Sequence, residues 1–322
     1  MNIPGKKYVE KAEETGNQAE VPMTKGLGLV DLLKKTGQEV SDDHLFAYAG
    51  NLSYKALFAL FPLFTLLISL LGMFNAAWVV DAFTNQLAGA LPQEASSFVT
   101  GQLQSIAESE ATASFTFGAL ISVALGLWGV SGAMRSVMEA MNVMHDLEET
   151  RPFWKKYVVS LFIALFVVAL VITALVLVVF GERIGAQVAA ALGFGSVFET
   201  LWAIAQWPIL TFLVLFAFAV LYYFAPAADQ KFRWISPGSL VAFACWLIFS
   251  LIFAYYVGAS SSFETYGALA GVIILMLYFY YSAAIVLGGA EMNQVVEEHA
   301  PGGKNKGEEY PDEEKPPEER TG

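Results

Sequence analysis

Long apolar runs separated by polar stretches dominate the chain. A helix needs about 20 residues to cross the hydrocarbon core of a bilayer, and six runs are long enough to be such helices. Gly181 and Gly258 follow the third and fifth runs, and Ser236 with Pro237 gives the fifth a helix start. The pattern predicts an all-α polytopic membrane protein with six transmembrane helices, at about residues 45–74, 115–134, 157–180, 201–224, 237–257 and 268–290.

Polar segments flank the predicted six-helix domain, which covers residues 45–296. Residues 1–44 precede it, and an apolar stripe around Leu29 and Leu33, beside two lysines, predicts an interfacial helix there. Apolar residues at helical spacing over about 93–107 predict a second amphipathic helix in the first long loop. Either helix can simply pack on the bundle or take part in gating. Residues 297–322 have the composition of a disordered acidic tail.

Basic residues are distributed unequally between the loops. Sixteen of the eighteen Lys and Arg residues lie in the N-terminal segment, in the loops after spans two and four, or in the tail. Arg183 is the basic residue of the opposite loops, and Lys55 lies inside span one. Loops rich in Lys and Arg stay in the cytoplasm. Both termini are therefore predicted to be cytoplasmic.

Composition agrees with a membrane location. Apolar residues make up 56% of the chain and charged residues 15%, against about 45–50% and about 25% in soluble domains. This disfavours a soluble enzyme, a nucleic-acid binder and a disordered scaffold. The net charge of −12 lies mostly in the N-terminal segment, the first long loop and the tail, which leaves the membrane core nearly neutral.

The sequence contains few candidates for catalysis or metal binding. There is one cysteine, and the three histidines lie far apart, so neither a disulfide framework nor a zinc site is expected. No phosphate-binding P-loop motif occurs. The sequence thus predicts no catalytic residue, no metal, no cofactor and no ATPase of its own.

Polar side chains within the spans are the candidate substrate ligands, because they are costly in hydrocarbon. They are Asn51, Tyr54, Lys55, Gln206 and Glu291. Lys55 is about 15 Å into its helix at 1.5 Å per residue. It either snorkels or pairs structurally, or it meets an anionic or zwitterionic substrate in a cavity. If spans one and six are neighbours, Lys55 and Glu291 could pair.

Prolines and glycines mark further features of the spans. Pro62 and Pro208 are expected to kink spans one and four, and broken helices often line transport sites, although many only pack. Gly126, Gly129 and Gly132 recur three residues apart in span two. This spacing favours close helix packing over a substrate groove.

Several short motifs, in order, resemble the YihY/BrkB family of bacterial inner-membrane proteins. They are AGNLSYKALFALFP at 49–62, MNVMHDLEETRPFW at 141–154, LYYFAP at 221–226, FRW at 232–234, Tyr266-Gly267, and GGAEMN at 288–293. The resemblance implies a multi-pass protein of the bacterial inner (plasma) membrane. It adds Asn142, Arg151, Tyr266 and Gly267 as structural or gating residues.

The family has carried the name ribonuclease BN, and the sequence argues against that activity. Hydrolysis of RNA by metal ions needs clustered carboxylates or histidines, and no such cluster is expected here. The leading hypothesis is a permease that exports a small polar or zwitterionic solute. A flippase for lipid or envelope precursors and a non-transporting scaffold are the alternatives. The expected partners are the bilayer and a solute or lipid, without nucleic acid, and a homo-oligomer is allowed.

Overall fold

The computed structural model describes residues 27–73, 101, 117–192, 195–228, 234–259 and 268–300. Seven helices make up most of these residues. They are α1 (Leu29–Asp42), α2 (Leu45–Met73), α3 (Phe117–Val143), α4 (Phe153–Leu192), α5 (Gly195–Phe224), α6 (Pro237–Ala259) and α7 (Ala268–Glu298). The predicted amphipathic helix at 93–107, Tyr266, Gly267 and most of the tail lie outside the described residues.

The predicted all-α membrane fold is confirmed. Four helices are long and apolar enough to cross a membrane: Phe153–Val178 in α4, Thr200–Phe224 in α5, all of α6, and Leu269–Glu298 in α7. They match predicted spans three to six. The first two predicted spans coincide with α2 and α3, which are helical but include residues whose side chains are not described. A total of six spans therefore stays a prediction.

Several helices continue beyond the apolar runs that predicted them. α3 extends to Val143, because residues 135–143 contain neither Gly nor Pro to end it. α4 continues through Gly181 to Leu192, so that glycine does not mark a helix end as expected. Gly181 instead lies beneath Trp202 of α5, whose indole Nε1 donates a hydrogen bond to the Gly181 carbonyl at 2.6 Å.

The helices from α2 to α7 are arranged as a ring. Each one contacts the next in chain order, and α7 closes the ring by packing against α2. The seam between α5 and α6 is the sparsest in this ring. Many outward side chains are apolar and exposed, such as Leu251 and Ile252 of α6, as expected of surfaces that face lipid.

The best-packed layer lies where α2 begins and α3 ends. An apolar cluster there joins α2, α3, α4, α5 and α7, and its buried members include Leu45, Met138, Met141, Ile163 and Leu287. The loop at 144–152, the start of the α5–α6 connection and the last turns of α7 also belong to this layer. We call this layer of the molecule the polar end, because its loops carry the hydrogen-bonded and acidic groups described below.

Helix α1 is docked at the polar end and confirms the helix expected around Leu29 and Leu33. Leu27 and Leu32 pack on the end of α7, against Met292, Val295 and Val296. Leu29 and Leu33 remain exposed, at 48% and 53%. One apolar side of α1 therefore faces protein, and a neighbouring side is left uncovered.

Helices α6 and α7 cross with their backbones in contact at Gly238 and Gly289. A β-carbon at Gly238 would collide with the Gly289 carbonyl oxygen, and one at Gly289 would lie 2.8 Å from the Ala242 β-carbon. The Gly238 N–H also donates to Asn293 Oδ1 at 2.9 Å. Small residues allow this approach, which membrane helices use to associate.

Close packing also explains the small residues of α3. A β-carbon at Gly129 would lie 2.7 Å from Cγ of Pro62. The proline of α2 is thus seated against a glycine of α3, and the packing interpretation of Gly129 is confirmed. Pro62 has the same packing role.

The glycine crossing predicts different effects for two adjacent substitutions in α7. Gly289→Ala should destabilise the protein by about 1–3 kcal/mol, the usual cost of overpacking. Gly288→Ala is the matched control, since a β-carbon there meets nothing within 4 Å. It should be neutral or stabilising, because Ala exceeds Gly in helix propensity by about 1 kcal/mol. Unfolding in detergent micelles measures both, and equal stability of the two variants would contradict the crossing.

Candidate functional site

Asn142 links two loops at the polar end. Its side chain is buried at the end of α3, where Oδ1 accepts a hydrogen bond from the Ala227 N–H at 2.7 Å. Its Nδ2 donates to Glu149 at 3.2 Å. Asn142 thus joins the loop after α3 to the connection after α5, which supports the structural role that the resemblance gave it.

Arg151 strengthens the same link. Its guanidinium donates to the carbonyl of Ala225 at 3.2 Å and to that of Pro226, and its Nε lies 3.9 Å from a Glu149 carboxylate oxygen. These two loops are therefore joined by hydrogen bonds between side chains and backbone. Tyr222 adds a bond from its hydroxyl to the Val286 carbonyl at 2.8 Å, which ties α5 to α7.

Lys55 is half-buried and faces α3. Its Nζ donates to the Ser136 hydroxyl at 2.5 Å. Helices α2 and α7 are neighbours, as pairing of Lys55 with Glu291 requires, but the two side chains form no ion pair. The pairing hypothesis is therefore wrong, because Lys55 points toward α3 while Glu291 lies among residues of α1 and its adjoining turn.

Arg135 is a second cation inside a helix. Sequence reasoning assigned it to a loop, whereas α3 continues past it. Its NH1 donates to Ser131 at 3.0 Å, and Ser131 bonds to Ser160 of α4 at 2.9 Å. The guanidinium also lies 4.2 Å from the ring centroid of Tyr157. The sequence could have indicated the contact between Ser131 and Arg135, because residues four apart lie on the same face of a helix.

Lys55 contacts α3 from α2, and Arg135 extends from α3 toward Tyr157 of α4. Each is held by serine hydroxyls, and neither forms an ion pair with a carboxylate of the described residues. Uncompensated cations within a helical bundle are costly in hydrocarbon. They are therefore the strongest candidates for binding an anionic group.

Carboxylates gather at the polar end around Glu291. Oxygens of Glu39, Asp43 and Asp146 lie within 4.8 Å of one another. Glu291 is 1% exposed, interacts electrostatically with all three, and is within hydrogen-bonding reach of Asp43. We call these four residues the carboxylate cluster. The expectation that no such cluster exists was wrong, because its members come from three distant parts of the chain.

The remaining predicted substrate ligands do not join this cluster or Lys55. Asn51 is exposed on α2, and Tyr54 is exposed with its ring 4.7 Å from that of Phe58. Gln206 packs against Gly181 of α4, and its Oε1 has no hydrogen-bond partner among the described residues. Pro208 is exposed within α5. The five candidates therefore do not form one site.

The fold and its inward polar groups define a multi-pass α-helical membrane protein. The model of the family described as virulence factor BrkB matches residues 36–313. The chain belongs to this family, which agrees with the motifs of the loops at 141–154 and 221–226.

A relative from Bacillus subtilis (strain 168) is 28% identical over 228 residues, which cover 70% of this chain and 80% of that protein. It is named "Putative ribonuclease-like protein YfkH". No solved structure matches the chain significantly.

The inter-loop network predicts that Asn142→Ala lowers stability by about 1–3 kcal/mol, since the buried Ala227 N–H would lose its acceptor. The matched control is Asn51→Ala, because Asn51 is exposed, and surface changes usually stay within about 0.5 kcal/mol. Thermal unfolding in micelles, followed by tryptophan fluorescence, gives both values. Equal midpoints for the two variants would show that the network does not stabilise the protein.

Proposed function

We propose that the protein is a permease of the bacterial inner membrane that exports a small solute carrying an anionic group. The observation that carries this proposal is the pair of helix-embedded cations, Lys55 and Arg135, which have serine and aromatic contacts and no carboxylate partner within the described part of the chain. A solute carboxylate or phosphate would supply the missing charge.

The depth of these cations suits a transport pathway. Each lies two to three turns from the helix terminus at the polar end, or about 12–15 Å at 1.5 Å per residue. A bound anion there would already be inside the bundle. The hydroxyls of Ser136 and Ser131 hold the two cations and would orient them toward such a group.

A zwitterionic solute fits the charges best. The carboxylate cluster lies at the same end of the molecule and could attract the positively charged group of a substrate. The excess of basic residues in the loops of this end supports a cytoplasmic location for it. Entry from the cytoplasm would then bring a solute past carboxylates first and cations second.

Transport is favoured over RNA hydrolysis despite the name of the Bacillus relative. RNA binding relies on a basic surface, and the protein has a net charge of −12. The carboxylate cluster removes the objection that metal ligands are missing, so the argument against RNA hydrolysis rests on this charge. The outward surfaces of the long helices are apolar and fit a bilayer. We therefore propose a non-enzymatic role.

A lipid flippase is the second candidate, favoured by two observations. The α5–α6 seam is the sparsest in the ring, so it is the natural lateral opening. Arg135 lies 5.8 Å from the ring of Trp128, which is 65% exposed on the outside of the bundle. A guanidinium so close to a lipid-facing surface could bind a lipid phosphate.

The permease proposal predicts that Lys55→Met lowers solute flux roughly tenfold or more, since a hydrogen bond to a charged group contributes about 1.5–3 kcal/mol. Solute flux would be measured with proteoliposomes loaded with radiolabelled glycine betaine, glutamate or trehalose, with and without proton or sodium gradients. We expect flux of the zwitterion and none of trehalose. Lys155→Met, at the exposed start of α4, is the matched control. Flux no greater than in empty liposomes for every solute and gradient would contradict the proposal.

The flippase candidate predicts transbilayer movement of a short-chain fluorescent phosphatidylglycerol. Dithionite should then bleach the inner-leaflet dye faster than in protein-free vesicles, and Arg135→Gln should slow that bleaching. Lys155→Gln serves as control. Dye that stays protected in wild-type proteoliposomes excludes this candidate, and solute flux by the same preparation would leave the permease in place.

A further inference from the structure

We propose that Glu39, Asp43, Asp146 and Glu291 form a binding site for one divalent cation, which fastens helix α1 to the end of α7 and to the loop after α3. Metal binding at this site can be tested separately from transport, since none of its four residues contacts Lys55 or Arg135 through a hydrogen bond or ion pair. A bound ion would compete with the cationic group of a zwitterionic solute for the cluster.

The first argument is the spacing of the carboxylates. Ligand oxygens of Glu39, Asp43 and Asp146 all lie within 4.8 Å of one another. Oxygens that surround a hard cation at about 2.0–2.6 Å are separated by no more than about twice that distance. The three carboxylates can therefore reach a single ion with small side-chain adjustments.

The second and independent argument is Glu291. Its side chain is buried on α7, at 1% exposure, and Oε1 has no hydrogen-bond partner among the residues that the structure describes. It lies close to the other acids, since it is within hydrogen-bonding reach of Asp43 and interacts electrostatically with Glu39 and Asp146. A buried carboxylate oxygen without a donor is costly, and a cation would complete its coordination.

The donor set identifies the class of ion. All four ligands are carboxylates, which suit the hard cations Mg²⁺, Ca²⁺ and Mn²⁺. No histidine or cysteine belongs to the set, so a preference for zinc or copper is not expected. Four carboxylates also repel one another strongly when they are ionised, and a divalent ion removes much of that repulsion.

The origin of the ligands gives the site its structural consequence. Glu39 and Asp43 come from α1 and its C-terminal cap, Asp146 from the turn after α3, and Glu291 from α7. Asp146 adopts a positive φ of 54°, a conformation that aspartate tolerates better than most residues. One ion would thus join three segments that are far apart in the chain.

The test uses the full-length protein, purified in micelles and stripped of metal with EDTA. Binding of Mn²⁺ is followed by loss of the EPR signal of the free ion, and the unfolding temperature is recorded with Mn²⁺, Mg²⁺ or Ca²⁺. We expect one bound Mn²⁺ per chain and a higher unfolding temperature with the ion, because a ligand that binds only the folded state stabilises it.

Glu291→Gln and Asp146→Asn should each weaken Mn²⁺ binding about tenfold or more, since a ligand is lost. Asp42→Asn is the matched control, an exposed acid next to Asp43, and should bind as wild type does. No bound Mn²⁺ at millimolar concentration would overturn the proposal. So would equal binding by wild type and Glu291→Gln. An unfolding temperature raised by Glu291→Gln without any metal effect would instead identify a shared-proton carboxyl pair.

Discussion

Helices in a bilayer gain little by burying leucines against each other, because the lipid tails are equally apolar. The bundle therefore depends on places where backbones approach closely or polar groups meet. Gly238 and Gly289 let α6 and α7 touch, and Asn142 and Arg151 tie two loops together. These contacts lie at the polar end. Lys55 and Arg135 are within about three helical turns of it, so this layer also fixes where the candidate site lies.

The sequence predicted the helices better than their limits or their partners. Four of the six predicted spans are confirmed as helices long and apolar enough to cross a membrane. Hydropathy finds such helices because a segment that faces lipid has to be apolar along its length. The ends of α3 and α4 were missed because hydropathy registers burial in lipid, whereas a helix continues until a Gly, Pro or turn stops it. The ring order of the helices is a long-range property that no local pattern encodes. The carboxylate cluster was missed for the same reason, since its members are numbered 39, 43, 146 and 291.

Lys55 shows why the partner of a charged side chain could not be predicted from the sequence. Its position ten residues into the helix was predicted correctly, and α2 does adjoin α7. The position of a residue along its helix and the contact between two helices do not determine where its side chain points. Successive side chains of a helix differ in direction by about 100°. Lys55 is directed at Ser136, and Glu291 lies close to Asp43. Lys55 and Glu291 thus have different partners although their helices are neighbours, and Lys55 contacts the neutral hydroxyl of Ser136 where a carboxylate was expected.

Helix α1 connects these observations. One side of it is docked on α7 through Leu27 and Leu32, its acidic residues reach the carboxylate cluster, and Leu29 and Leu33 stay uncovered. Acids that are ionised in this cluster would repel one another, and a cation bound at the proposed site would offset that repulsion. The turn that carries Asp146 also begins the loop held by Arg151. Occupancy of the proposed cation site would therefore bear on the position of α1 and of the loop that Arg151 ties to the connection after α5.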